Sequence, residues 1–187
     1  MCDEFLDKNE FDIEQLKIIE ERIKSRENTK GREYNRFRGD AITKIVSYYL
    51  TKHLSNDFKI VRLSWIQDCP TEFDLLIVDK VAKPINFTSA YPKNKIHLAV
   101  EVKGSGFFFG KSDVKEKVNE LFDKWNKNTG KPILYLSLWE RENYVKPIIE
   151  AIGKEEVFIL QINKEINYGD WKRFVKRVKF YLKSDLQ

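Results

Sequence analysis

Histidine and cysteine are scarce in this sequence of 187 residues, which contains two of each. The two cysteines, Cys2 and Cys69, lie far apart and match no metal-binding spacing. Zinc hydrolases and other enzymes with histidine-rich sites need more of these side chains, so the composition argues against both classes. The same scarcity argues against a disulfide framework and predicts a protein of a reducing compartment.

Long apolar runs are also absent from the sequence. No stretch approaches the ~20 residues of a membrane-spanning helix, and the N-terminus lacks a signal-like pattern, so we expect a cytoplasmic protein without a membrane partner. A hydrophobic content of 42% is ample for one core. The sequence predicts a single domain over 1–187, with a helical extension and basic loop (1–35), a central core (36–140) and a C-terminal strand and basic helix (141–187).

Charge is distributed unevenly along the chain, although the net charge is only +5. Residues 1–21 carry a net charge of −6, residues 22–38 carry +5, and residues 171–183 carry +6 without any acid. Concentrated basic segments are typical of polyanion-binding proteins, although a solvated helix face has the same composition. The candidate DNA contacts in these segments are Arg32, Arg36, Arg38, Lys172, Arg173 and Lys176.

The stretch Ile96–Lys103 alternates with a period of two residues and predicts a strand. One face of this strand is apolar, and the other face ends in Glu101 followed by Lys103. The apolar face consists of Leu98, Val100 and Val102. An edge strand that faces solvent has the same pattern, so Glu101 and Lys103 alone do not distinguish a site from a surface.

A second strand is predicted upstream, over Phe73 to Val78, with Asp74 at its start. If the two strands are neighbours, Asp74 and Glu101 meet at one edge of a sheet beside Lys103. Two close carboxylates repel each other unless a cation lies between them, and Mg²⁺ prefers such oxygen ligands. A bound ion would polarise a phosphodiester while the lysine stabilises charge, so the pattern predicts phosphodiester hydrolysis.

An aspartate at the start of one strand and Glu-x-Lys at the end of the next resemble the PD-(D/E)XK nuclease superfamily, which has the restriction-endonuclease-like fold. Asp74 matches the first acid of that motif, Glu101 the second and Lys103 the lysine. The resemblance covers residues 36–140 and implies a helix, three strands, a helix and a fourth strand, with Mg²⁺ dependence and DNA cleavage. We expect Asp74, Glu101 and the backbone carbonyl of Val102 to bind Mg²⁺, for which Mn²⁺ would substitute.

The chain departs from the superfamily pattern at two points, and three further acids are candidates for the site. Phe73 stands where proline often precedes the first acid, and an insertion over 80–95 separates the two strands. Glu72 shares a face with the first acid, and some members of the superfamily supply an acid from the first helix, as Glu33 or Asp40 could. Asp40 also suits the N-cap of a predicted helix that follows a basic, aromatic loop.

A glycine-rich segment, Gly104 to Ser112, follows the Glu-x-Lys strand and ends in Gly-Lys-Ser before a predicted helix. This is the context of a phosphate-binding loop in nucleoside triphosphatases. The spacing fails, because that motif needs a glycine five residues before Gly110, where Ser105 stands. We expect no nucleotide cofactor and keep a P-loop NTPase as a remote alternative, so Lys111 and Ser112 are instead candidate DNA contacts.

Periodicity and turn signals predict the remaining elements. Further strands are expected over 58–66, 132–139 and 157–162, and helices over 12–26, from 40 to about 54, 112–128, 143–152 and from an Asp170 N-cap. The loop over 27–39 and a turn over 67–71, where Pro70 prevents a strand, separate some of them. This order predicts an α/β fold with a restriction-endonuclease-like core, in which helices flank a central mixed sheet of about five strands.

These expectations together describe a Mg²⁺-dependent DNA endonuclease. Restriction-type cleavage by a homodimer is the first choice, because two-fold sites need two-fold proteins. A Holliday-junction or repair nuclease of the same fold is the alternative among enzymes. A nucleic-acid-binding protein that uses the fold without cutting is the alternative outside them.

Overall fold

The structure of the protein is a computed structural model. It describes residues 32–86, 88–103, 129–139, 142–162 and 165–184, together with positions 116, 120, 122, 123, 125 and 127. The predicted helix over 12–26 and the glycine-rich segment over 104–112 lie outside these residues. Among the described helices, none combines the length and the apolar character that crossing a bilayer requires.

Three α-helices and seven strands are bounded within the described part of the chain. In chain order they are α1 Arg32–Thr51, β1 Phe58–Ile66, β2 Cys69–Asp79, β3 Ala90–Tyr91, β4 Ile96–Lys103, β5 Ile133–Trp139, α2 Glu142–Ile152, β6 Val157–Ile162, β7 Glu165–Ile166 and α3 Tyr168–Ser184. Short 3₁₀ turns at Lys93–Lys95 and Lys154–Glu156 precede β4 and β6. The described positions from 116 to 129, which lie between β4 and β5, are also helical, and they are called the helical segment at 116–129.

All seven strands belong to one mixed sheet, in the order β3-β1-β2-β4-β5-β6-β7. β2 pairs antiparallel with both β1 and β4, whereas β4 and β5, and then β5 and β6, are parallel. Parallel neighbours need a crossover connection; the described helical positions from 116 to 129 lie in the first of these connections and α2 lies in the second. The predicted α/β class with about five central strands is confirmed, because β3 and β7 add only two residues each at the edges.

Helices cover both faces of this sheet. On one face, α1 and α3 pack against Leu98, Val100 and Val102 of β4. On the other face, the helical segment at 116–129 and α2 pack around Ala99 and Tyr135. The inner strands are therefore buried on both faces, as parallel strands between two helical layers usually are.

Apolar residues at helical spacing in α1 and α3 are buried and form one stripe on each helix. They consist of Ile42, Ile45, Val46, Tyr49 and Leu50 in α1, and of Trp171, Phe174, Val175, Val178 and Leu182 in α3. Residues three and four positions apart share one face of a helix, so each stripe turns the remaining, more polar face of its helix outward. The outward face of α3 is the strongly basic one.

The predicted start of the first core helix is wrong. A loop was expected up to position 39, with Asp40 as the N-cap, but α1 already begins at Arg32. Arginine and glutamate are good helix formers, and extending a packed helix adds one hydrogen bond per residue, so amphipathic periodicity is not needed there. Gly39 lies inside the helix, where its carbonyl accepts a hydrogen bond from Thr43 Oγ1 at 2.9 Å.

The expected turn between β1 and β2 is shorter than predicted. β2 begins at Cys69 and includes Pro70, so only Gln67 and Asp68 form the turn, the latter with a φ of 64°. Proline was expected to exclude a strand because it donates no ladder hydrogen bond. β2 pairs with β4 only from Leu75 onward, so its first residues have β1 as their one described neighbour and tolerate a missing donor.

Two further expectations need adjustment. The insertion at 80–95 was predicted as a surface loop, yet it contains β3, which pairs parallel with β1 and buries Tyr91. Asp170 is not the N-cap of α3. Asn167 Oδ1 instead accepts the backbone N–H of Asp170 at 3.2 Å, and the Asp170 carboxylate accepts the N–H of Ile159 at 2.9 Å, which ties the helix to β6.

Candidate active site

The structure brings together the three residues that the sequence singled out. The Lys103 ammonium contacts Glu101 Oε1 and lies 3.4 Å from Asp74 Oδ2. The same Asp74 oxygen accepts the backbone N–H of Val102 at 2.8 Å. One cation therefore bridges two carboxylates that come from adjacent strands, β2 and β4.

Strand geometry explains this convergence. Leu75 of β2 is paired with Val100 of β4, so the next residues along this antiparallel register, Asp74 and Glu101, lie side by side. Glu101 is flanked by two valines that are buried against α1 and α3, so its own side chain points to the opposite face. Lys103, two residues further, lies on the same face as Glu101 and can reach back to it.

Burial, Lys103 and Asp74 all act on the pKa of Glu101. The residue is only 6% exposed, and this burial raises its pKa, Lys103 lowers it, and Asp74 raises it again, so that the pKa of Glu101 reaches about 7. Burial lowers the pKa of Lys103, but the two carboxylates raise it further and hold it above the usual range. The lysine is therefore charged at neutral pH, whereas Glu101 is close to its midpoint.

The donor set of this cluster fits a hard divalent cation. Two carboxylates share a single ammonium, so the ionised cluster carries a surplus negative charge that a second cation would neutralise. Among the residues that the structure describes, no three Asp, Glu, His or Cys side chains gather as a ready-made metal cage. Backbone oxygen, water and substrate would have to complete the coordination, which is the usual situation for Mg²⁺.

The three additional acids lie differently. Glu72 is exposed, two residues before Asp74 on β2. Asp40 pairs with other residues, because its carboxylate forms ion pairs with Arg62 of β1 at 2.7 Å and with Lys44 of α1 at 2.8 Å. Glu33 belongs to α1, but its side chain is outside the described part.

The candidate DNA contacts are spread over the molecule. Arg32, Arg36 and Arg38 fall within α1, on turns whose side chains the structure does not describe, and Lys111 and Ser112 fall outside the described residues. Lys172, Arg173 and Lys176 lie on α3. Because α3 packs on the valine face of β4, this basic helix and the Glu101 side chain are on opposite faces of the sheet.

Tyr135 is a neighbour of the site that sequence reasoning missed. It is directly paired with Glu101 across the parallel β4–β5 ladder and is 1% exposed. Burial and the negative charges of Glu101 and Asp74 raise the pKa of Tyr135, so its hydroxyl stays protonated. The alternation of β5 predicts that Tyr135 and Ser137 share one face of that strand. Alternation does not give the register between β5 and β4, and it is this register that places Tyr135 beside Glu101.

Comparison with known proteins identifies the fold. No family model matches the chain, and no curated protein matches it. Similar solved structures include NucC of P. aeruginosa ATCC27853 in its cAAA-bound form, with 13% identity and a TM-score of 0.54 over 90% of this chain and 89% of that chain. The cAAA-bound form of NucC from E. coli MS115-1 gives 12% identity and a TM-score of 0.53, covering 90% and 88% of the two chains.

The apo form of E. coli MS115-1 NucC is similar as well, with 12% identity and a TM-score of 0.51 over 90% of this chain and 92% of that chain. At such identities a match establishes the shared fold, not the chemistry of the site. The fold expected from the sequence, a restriction-endonuclease-like core, is therefore confirmed.

Proposed function

We propose that this protein is a Mg²⁺-dependent DNA endonuclease that hydrolyses phosphodiester bonds at the cluster of Asp74, Glu101 and Lys103. The observation that carries the proposal is the bridging of two carboxylates from adjacent strands by one lysine. The fold supports it, because the cluster lies at the strand positions where the PD-(D/E)XK motif is expected. A mere surface ion pair does not explain why Glu101 is buried with a raised pKa.

The side chains of the cluster have distinct roles in this proposal. Asp74 is oriented by the N–H of Val102, which fixes its carboxylate at the strand edge. Lys103 presents a positive charge held by both acids and would stabilise the charge that develops on the scissile phosphate. Glu101, buried beside Lys103, would be the second carboxylate that holds the metal ion.

Asp74, Glu101 and the backbone carbonyl of Val102 are the groups that would hold the ion. Mg²⁺ is the expected ion and Mn²⁺ a substitute, because both prefer oxygen ligands. The bound ion would supply Lewis-acid polarisation of the phosphodiester. The surplus negative charge of the cluster is the property of this chain that favours it.

The proposed substrate is DNA, and restriction-type cleavage by a homodimer is the proposed mode of action. The basic segment at 22–38 supports a polyanionic substrate. Sedimentation of the protein on a short duplex, together with mapping of the cleaved ends, tests the dimer. Ends at two-fold-related positions are expected, and a monomer that nicks one strand would favour repair-type or junction cleavage instead.

Incubation of supercoiled plasmid with the purified protein tests the central proposal. Nicked or linear products are expected with Mg²⁺, but not with EDTA or with the Asp74→Asn variant. Because two of the similar structures hold cAAA, each reaction is run with and without this ligand. If the folded wild-type protein leaves DNA intact under all of these conditions with Mg²⁺ or Mn²⁺, the proposal is wrong.

A nucleic-acid-binding protein that does not cut is the second candidate. It is favoured by the position of Lys103, whose ammonium already neutralises part of the charge that a metal would neutralise. Binding of a labelled duplex in Ca²⁺, compared with its cleavage in Mg²⁺, separates the two functions. Tight binding without cleavage, unchanged in Asp74→Asn, would select the second candidate.

A further inference from the structure

The outward face of α3 carries four lysines in a single row, the α3 lysine stripe. Lys172, Lys176, Lys179 and Lys183 follow the spacing i, i+4, i+7, i+11, which keeps side chains on one side of a helix. The last three are exposed and Lys172 is half-buried. With ~1.5 Å of rise per residue, the stripe is roughly 17 Å long, enough to follow several phosphates of one strand.

An exposed aromatic ring and a small cavity lie beside this stripe. Phe180 is 56% exposed, and the Arg177 guanidinium lies 5.0 Å from its ring centroid. The cavity has a volume of about 260 Å³ and is lined by Glu155, Phe158, Arg173, Lys176, Arg177 and Phe180. It is smaller than the roughly 300 Å³ at which pockets for drug-sized ligands begin, so it has room for only a small group.

The two arginines of the cavity act as its walls. Arg173 pairs with Asp170 at 2.6 Å and stacks over Phe158 at 5.3 Å. Arg177 is paired with Glu156, so neither guanidinium adds much net charge. The lysine stripe adds four basic side chains to this surface, and the rings and guanidinium planes supply flat surfaces.

This surface is separate from the carboxylate cluster. The inner side of α3 packs, through Trp171 and Phe174, in the same core as Val100 and Val102. Glu101 lies between these valines and points to the opposite face of the sheet. A ligand on α3 therefore does not reach the cluster through the sheet, and the surface is not an extension of that site.

We infer that α3 binds single-stranded nucleic acid, with its phosphates along the α3 lysine stripe and one base stacked on Phe180. A row of cations beside an exposed ring is the usual combination in single-strand binding, since every unpaired base offers a flat face to stack. A duplex hides these faces. A membrane fits poorly, because the apolar face of α3 is already buried in the core.

Fluorescence anisotropy with labelled oligo(dT) of 20 nucleotides tests the inference on the wild-type protein in EDTA, which prevents cleavage and makes the result independent of the proposed function. Neutralising two stripe lysines, Lys176→Gln with Lys179→Gln, should weaken binding at least tenfold. It should also reduce the slope of log affinity against log salt by about 1.4, because two phosphate contacts are lost. The matched control, Lys80→Gln with Lys83→Gln, removes the same charge from the loop between β2 and β3.

The ring is tested separately. Phe180→Ala should weaken binding of oligo(dT) about tenfold, and Phe180→Trp should restore it, because stacking depends on a flat face. A duplex of the same length should bind less tightly than the single strand and respond little to Phe180→Ala. Equal losses in the stripe and control variants, no loss in Phe180→Ala, or tighter binding of the duplex would each overturn the inference.

Discussion

The two ends of β4 each hold a carboxylate of β2 against donor side chains, but with opposite proportions of donors and acids. At the beginning of β4, Asp79 of β2 is contacted by two side chains. His97 Nε2 lies 2.6 Å from its carboxylate, and Nζ of Lys95, the residue just before β4, lies 3.1 Å from it. At its last residues, Asp74 and Glu101 share the single ammonium of Lys103. The first cluster has more donors than acids, and the second has more acids than donors.

This difference is reflected in the pKa shifts of the two acids, Asp79 and Glu101. Burial raises the pKa of Asp79, but hydrogen bonds from His97 and Lys95 lower it further, so it falls below its usual value. The pKa of Glu101 instead rises to about 7, because burial and Asp74 outweigh Lys103. A satisfied acid stabilises the fold, whereas an unsatisfied pair is ready to accept a cation, and function is expected at the second end alone.

The largest expected effect is on cleavage, and it should distinguish the two ends. Lys103→Ala should lower the rate of plasmid cleavage by about 10²- to 10³-fold, the usual cost of removing one charge-stabilising group. Lys95→Ala removes the equivalent lysine from the other cluster and should change the rate less than twofold. Comparable losses in both variants, measured in Mg²⁺ at equal folded concentration, would contradict the assignment of function to one end.

The second effect is on stability and depends on pH through Glu101. Its folded pKa of about 7 exceeds the ordinary value of 4.5, so the folded protein keeps a proton that the unfolded chain releases. The resulting stabilisation is present below pH 4.5 and is lost as pH rises through 7. The free energy of unfolding in EDTA should therefore fall between pH 5 and pH 8, by on the order of 1 to 3 kcal/mol.

Glu101→Gln should remove this fall, because the amide does not titrate. Urea denaturation of both proteins at pH 5 and pH 8 measures the difference. Lys103 does not interfere, since its raised pKa places its titration above this window. A variant that loses as much stability as the wild type between the two pH values would show that Glu101 is not the titrating group.

The contribution of Asp79 to the free energy of unfolding should have the opposite pH dependence and a smaller magnitude. Its lowered pKa contributes stability above pH 3.8 that is lost as pH falls through the folded value. Asp79→Asn should therefore lower the free energy of unfolding at pH 7 by about 0.5 to 1 kcal/mol, since the pair is partly exposed, and by less at pH 3. Urea titrations at both pH values check this, and an undiminished loss at pH 3 would contradict it.

The smallest expected effect concerns Tyr135, which lies across the ladder from Glu101. Tyr135→Phe keeps the ring but removes a buried hydroxyl beside the acids, so cleavage should slow by about two- to tenfold. The pH at which the rate is half-maximal should also shift. Tyr91→Phe, another buried tyrosine of the same core, is the control, and an identical pH profile in all three proteins would assign Tyr135 a packing role only.

The elements with strict alternation were predictable from sequence. β1, β4 and β6 begin and end where their patterns predicted, because each is a short run bounded by turn residues. The starts of α1 and β2 could not be predicted in this way. Whether a helix extends back to Arg32, and whether a strand tolerates Pro70, depends on which elements pack or pair beside these residues. The cap of α3 was also misassigned, because Asp170 and Asn167 are both good capping residues and only the packing against β6 distinguishes them.

Alternation along the chain is enough to assign residues to a face of β4: a period of two puts Glu101 and Lys103 on one side and the valines on the other. The sequence also shows that an acid precedes the neighbouring strand. Strand pairing and helix packing were needed to show that Asp74 lies beside Glu101, that Tyr135 is paired with Glu101 on the next strand, and that the basic α3 covers the other face of the sheet. Local periodicity follows from backbone geometry, whereas register and layer depend on contacts between residues far apart in the chain.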